Sequence, residues 1–159
     1  EAAALWQGRK AAVPAVGRIS PDYYCMDGTI PRSQVGYVLT RINELSQFYG
    51  LRVANVFHAG DGNLHPLILF DASIDGELEQ AELLGGDILT LCVDVGGTIT
   101  GEHGVGLEKM PQMPYQFGDA ELAQFRRLKA AFDSEELLNP GKAIPTLKYC
   151  QEYRSLQHG

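Results

Sequence analysis

Apolar side chains recur along this chain with two different periods. Val35, Val38, Leu39, Ile42, Leu45 and Phe48 fall at helical spacing, which predicts a helix opening after Pro31 and Ser33 and ending before Gly50. Leu78, Ala81, Leu84, Ile88, Leu91 and Val95 repeat that spacing and predict a second helix over 76–95. Leu122, Phe125, Leu128 and Phe132 predict a third over 119–132, with those four side chains facing inward. A further helix is expected over 2–12. The stretches 51–57 and 64–70 are instead continuously apolar and partly β-branched, and Gly60-Asp61-Gly62-Asn63 stands between them. That combination predicts a β-hairpin, with another strand expected over 23–30.

Strand, helix, hairpin, helix is most of a split βαβ arrangement. The expected fold class is therefore α+β: an antiparallel sheet with helices on one face, ferredoxin-like, followed by C-terminal helices. A glycine-rich loop over 96–106 separates the two parts. The domain is expected to cover 1–147, and 148–159, which offer few apolar anchors, to form a mobile tail.

Composition narrows the function classes. The 159 residues fit one domain with an ordinary core, and 45% hydrophobic with 21% charged residues is usual for a globular protein. A formal charge of −7, with the thirteen basic residues scattered among acids, disfavours nucleic acid as a partner. Cys25, Cys92 and Cys150 are too few and too far apart for a disulfide scaffold or a paired-cysteine metal site, so a reducing cytoplasm is the expected compartment. No apolar run approaches the ~20 residues that span a bilayer, so no transmembrane segment is expected. The start Glu1-Ala2-Ala3-Ala4 carries no signal-like core, and the absence of an initiating Met suggests that the beginning has been removed.

Three of the four histidines lie in two glycine-punctuated segments, His58-Ala59-Gly60-Asp61-Gly62-Asn63-Leu64-His65 and Gly101-Glu102-His103-Gly104. A hairpin closed symmetrically by Gly-Asp-Gly-Asn makes His58 and His65 cross-strand partners, with Cβ atoms about 5 Å apart. Two imidazoles so placed can share one divalent ion, with Glu102 as a third, anionic ligand and a coordination position left open. Each histidine taken singly reads more plainly as a hairpin residue satisfying backbone groups. Their grouping with Glu102 and His103 favours a metal or catalytic site.

These two segments, together with Leu138-Asn139-Pro140-Gly141-Lys142, resemble the signature segments of the FAD-linked oxidase carboxy-terminal domain family. Pro21-Asp22-Tyr23-Tyr24-Cys25-Met26-Asp27-Gly28-Thr29-Ile30-Pro31 and Arg52-Val53-Ala54-Asn55-Val56-Phe57 tilt the likeness, which runs over 5–147, toward the glycolate-oxidising branch. The resemblance implies the substrate side of a flavin-dependent D-2-hydroxy-acid oxidase or dehydrogenase. Within it, His58, His65 and Glu102 would hold a divalent metal, zinc being one candidate, and His103 would be the base. Arg9 would pair with the substrate carboxylate, and Asn63 and Asn139 would lie at the FAD.

The same resemblance implies a small 2-hydroxy acid as substrate, because Pro66-Leu67 follows His65 where hydroxyglutarate-type relatives carry Leu-Asn. It further implies sister subunits in a glycolate oxidase complex, through which the protein would reach the inner membrane from the cytoplasm. A flavin domain precedes this region in the family, so tight FAD binding and activity are not expected of these residues alone. Two other readings stand beside this one: a stand-alone metal-binding or small-ligand module without redox chemistry, and a hairpin interaction domain with no site.

Overall fold

The computed structural model describes residues 2–145. Helix α1 (Ala2–Val16) is followed by strands β1 (Asp22–Cys25) and β2 (Gly28–Thr29), helix α2 (Val35–Tyr49), strands β3 (Val53–His58) and β4 (Asn63–Phe70), and helix α3 (Glu77–Asp94). A short turn of helix α4 (Met113–Gln116) and helix α5 (Asp119–Phe132) complete the order. The expected tail over 148–159 lies outside the described residues.

The sheet is antiparallel, with β4 at its centre. One edge of β4 pairs with β3, and the other pairs first with β2 and then with β1. Strands β1 and β2 are two pieces of one broken strand, and they run parallel to β3 with β4 between them. This is the split βαβ arrangement expected from the order of elements. An isolated antiparallel bridge between Thr29 and Thr98 extends the sheet beyond β2.

The break in the expected strand over 23–30 follows from Pro66. Met26 donates its N–H to the Pro66 carbonyl at 3.1 Å, but proline has no N–H to return. Pairing lapses at Met26 and Asp27 and resumes at Gly28 opposite Leu64.

Side chains on β4 alternate between two faces. Leu64, Ile68 and Phe70 point into the main core with Val38 and Ile42 of α2 and Ala81, Leu84 and Ile88 of α3. Leu67 and Leu69 point the other way, where Val16 at the end of α1 packs on them. Helices α2 and α3 thus cover one face as expected, while α1 touches the opposite face with its last turn. The remainder of that opposite face is where His65 projects.

Helix ends follow local chemistry. Gly50 closes α2 in the left-handed conformation, φ 70°, where only glycine is unstrained. Glu77 and Glu79 occupy the first turn of α3, where carboxylates favour the positive end of the helix dipole. Glu121 reaches back to the Gly118 N–H at 2.7 Å and fixes the start of α5.

Four apolar positions depart from expectation, Leu78 among them at 40% exposed. Phe48 is 81% exposed, and Leu128 and Phe132 on α5 are 61% and 83% exposed rather than inward. Helix α5 joins the core only through Leu122 and Phe125, the latter packed edge-on against Phe117. Its last turns instead border an open apolar groove of ≈480 Å³ shared with Val105 and Met113.

Gly60 and Gly62 look alike in the sequence but not in the hairpin. A Cβ on Gly62 would stand 2.1 Å from the Ile30 carbonyl oxygen at φ +82°, whereas one on Gly60 would meet nothing within 4 Å. Gly62→Ala should therefore destabilise the fold by more than about 2 kcal/mol and Gly60→Ala by less than about 0.5 kcal/mol. Denaturant titration of the two variants checks this, and equal midpoints would refute it.

Candidate active site

The hairpin register differs from the symmetric closure expected from Gly-Asp-Gly-Asn. His58 pairs with Asn63, and His65 lies opposite Val56. The turn is tighter because the N–H groups of Asp61 and Gly62 both bond to the His58 carbonyl. The shift is by two residues, so His58 and His65 remain on one face as diagonal neighbours. Their rings meet edge to face with centroids 5.3 Å apart.

The loop after α3 brings the remaining groups to this face. Glu102 Oε1 lies 2.8 Å from His65 Nε2, 3.3 Å from Asn63 Nδ2 and 3.8 Å from His58 Nε2. His103 stacks on His65, with centroids 5.0 Å apart and planes 15° from parallel. Among the described residues the His103 imidazole makes no hydrogen bond, and it is exposed. Asp27, His65, Glu102 and His103 together offer ligand atoms that all lie within 4.8 Å of one another.

His65 is held from behind. Its Nδ1 faces the Met26 carbonyl at 3.4 Å, the oxygen left without a ladder donor by Pro66. Both ring nitrogens therefore face acceptors, and the Nε2 contact with Glu102 requires a proton or a cation between them. His65, Glu102, His103 and Asp27 offer a donor set that suits a divalent ion, whereas His58 falls outside that group and approaches it through Glu102, at 3.8 Å.

Asp27 anchors the loop. It is fully buried, and its Oδ2 accepts the N–H groups of Gly101, Glu102 and His103 at 3.0, 3.1 and 2.9 Å, the Thr100 hydroxyl at 2.9 Å and Lys109 Nζ at 3.0 Å. Burial alone would raise its pKa. The bonds from His103, Lys109, Thr100 and Glu102 outweigh burial and hold the carboxyl well below the usual carboxylate range. Lys109 is itself buried. Gly101 must lack a side chain here, since a Cβ would stand 2.5 Å from Asn63 Oδ1 and 2.6 Å from Thr29 Oγ1.

The structure thus brings together His58, His65, Glu102, His103 and Asn63. Arg9 is exposed on α1, and among the described residues no hydrogen bond or ion pair joins it to this group. Asn139 sits exposed in the turn after α5 with φ 49°, a left-handed conformation that asparagine tolerates. Sequence reasoning assigned no role to Asp27 or Lys109. The available signal was a carboxylate inside a stretch otherwise read as a strand, since buried charges are paired, whereas Lys109, between Glu108 and Met110, carried no such mark.

A histidine and carboxylate face thus lies on an α+β sheet, supported by a buried acid and lysine. The chain matches the model for FAD linked oxidases, C-terminal domain, over residues 1–143 and belongs to that family. It is 64% identical to glycolate oxidase subunit GlcD of Escherichia coli (strain K12) over 157 residues, 98% of this chain and 32% of that protein. Identity to glycolate oxidase subunit GlcD of Bacillus subtilis is 39% over 142 residues, 89% of this chain and 30% of that protein. A mitochondrial D-lactate dehydrogenase [cytochrome] of Arabidopsis thaliana is 34% identical over 143 residues, 89% of this chain and 25% of its own length. The chain therefore spans between a quarter and a third of the length of these curated relatives.

Asp27→Asn leaves the Lys109 ammonium buried without its counter-charge and should cost about 3–5 kcal/mol. Hydrogen exchange should show lost protection at the amides of Gly101, Glu102 and His103, and unchanged protection there would refute the anchoring role. Asp27 has a folded-state pKa below its unfolded value of about 3.9, so its stabilisation is complete above about pH 4 and lost as pH falls further. In the Asp27→Asn variant that acid-side loss should be smaller.

Proposed function

We propose that this chain is the substrate side of a flavin-dependent 2-hydroxy-acid oxidoreductase, acting on a small acid such as glycolate or D-lactate. The observation that carries the reading is the approach of His65 and His58 to Glu102, at 2.8 and 3.8 Å, beside the imidazole of His103 stacked on His65. Family membership supports FAD as the cofactor, and the relatives named as glycolate oxidase subunits and D-lactate dehydrogenases support the substrate class.

His58, His65 and Glu102 are the residues that would hold a divalent cation, and imidazole with carboxylate suits zinc, iron, nickel and manganese. When bound, the cation supplies Lewis acidity toward the substrate hydroxyl and the flavin supplies the hydride acceptor. His103 takes the hydroxyl proton on a ring nitrogen. Its backbone N–H, bonded to Asp27 at 2.9 Å, and its stacking on His65 orient the ring for that transfer. Arg9 is the candidate partner for the substrate carboxylate, as a planar and always charged group. Asn63 and Asn139 are the candidates for contact with the flavin.

The name of the first relatives, a subunit, supports work within an assembly of sister subunits. Among the described residues no helix is long and apolar enough to cross a membrane. Membrane contact, in this reading, comes through partners of a cytoplasmic protein.

In the full-length protein, His103→Asn should keep its metal content while anaerobic flavin reduction by glycolate or D-lactate falls about 10²–10⁴-fold. His58→Asn should lose both. Metal analysis together with stopped-flow flavin absorbance separates the two roles, and near-normal reduction in the His103 variant would remove it from the mechanism.

A further inference from the structure

Away from the histidine face, on the other side of the sheet, a cleft of about 910 Å³ opens between α3 and the segment 107–112. The charged side chains lining it are Glu79, Glu82, Asp87 and Glu108, and no lysine or arginine is among the lining residues. Such a cleft focuses negative potential. The phenol of Tyr24 on its wall registers that field: its pKa is pushed above the ordinary tyrosine range, first by burial and then by the Glu108 and Glu82 carboxylates.

A second observation is independent of the charges. Gln112 lines the cleft, is only 8% exposed, and among the described residues its side-chain amide makes no hydrogen bond. Its Nε2 stands 2.7 Å from where a Cβ on Gly86 would be, so the amide lies directly on the α3 backbone at a position kept clear for it. Neither amide atom is both buried and unpaired, so the amide reaches solvent and is free to accept from a bound donor. The third feature is apolar: Leu83 and Leu107, both lining the cleft, are 61% and 59% exposed.

We propose that this cleft docks a basic amphipathic segment of a protein partner. Its lysine or arginine heads lie among Glu79, Glu82 and Glu108 with the Gln112 carbonyl as acceptor, and its apolar side chains cover Leu83 and Leu107. Charge complementarity selects the cationic heads. The two exposed leucines select a protein segment over a free polyamine, which would leave them in water. A second copy of this chain, at formal charge −7, is repelled rather than drawn to the cleft. The inference rests on residues that take no part in the histidine site.

The test uses the full-length protein and a fluorescein-labelled synthetic peptide with lysines on one helical face and leucines on the other, read by fluorescence anisotropy. The lysine peptide should bind and its glutamate-for-lysine counterpart should not. The double variant Glu79→Lys, Glu82→Lys, altering two exposed side chains, should weaken binding at least about tenfold. Glu135→Lys, outside the cleft, should leave it unchanged. Gln112→Met, a change of similar volume, should weaken binding several-fold without moving the thermal midpoint.

No binding of the lysine peptide to the full-length protein, as when another part of the longer chain covers the cleft, overturns the proposal. Equal loss in the Glu135→Lys variant overturns it in favour of a general charge effect. Full displacement by spermidine, with a peptide lacking the leucines binding equally well, overturns it in favour of a polyamine site.

Discussion

A carboxylate withdrawn from water needs donors on every side, and Asp27 draws them from a loop more than seventy residues further along the chain. Three consecutive backbone N–H groups, a hydroxyl and an ammonium converge on it. Consecutive amides that turn toward one anion fix the path of the backbone that carries them. The directions of Glu102 and His103 follow from that path. Without Asp27 the segment would be a glycine-rich loop free to sample many conformations, and ordering it would cost about 1–2 kcal/mol per residue. The anion at the sheet break therefore pre-orders the polar groups that face the histidines.

The sheet and the loop divide the work at the site. His58 and His65 come from a rigid hairpin whose other face is sealed by α2 and α3, so their spacing is fixed by strand geometry. Glu102 and His103 come from irregular backbone, which can present a carboxylate and an imidazole at angles that a strand cannot. The cost of irregular backbone is unpaired N–H groups, and here those same groups are the donors to Asp27.

Much of this was legible in the chain, for identifiable reasons. Helices α2, α3 and α5 announce themselves because an apolar stripe at period 3.6 has one way to be buried. The hairpin follows from glycines between two apolar runs. Its register does not, because turn type depends on φ at Gly62 and on the Ile30 carbonyl beside it, neither of which is local information. The two-residue slip left the face of each histidine intact because strand side chains alternate with period two, so His58 and His65 share a face despite an incorrect pairing. The union of Asp27 with Lys109 joins positions 82 residues apart, and no periodicity encodes it. The outward turn of Leu128 and Phe132 was hidden for a related reason: periodicity gives the direction of a stripe but not whether anything lies over it.

Pro66 has a consequence that reaches beyond the strand break. A proline in a central strand ordinarily counts as a defect, since it leaves an opposing carbonyl unmatched. Here the unmatched oxygen belongs to Met26, and the nearby donor is the imidazole one residue before the proline. The imino acid thereby gives Nδ1 an acceptor, so that when Nδ1 donates to it, Nε2 faces Glu102 with a lone pair that a shared cation would satisfy. A covalent peculiarity of one residue shapes the hydrogen bonding of its neighbour, through a Met26 carbonyl that the sheet brings from 39 residues away.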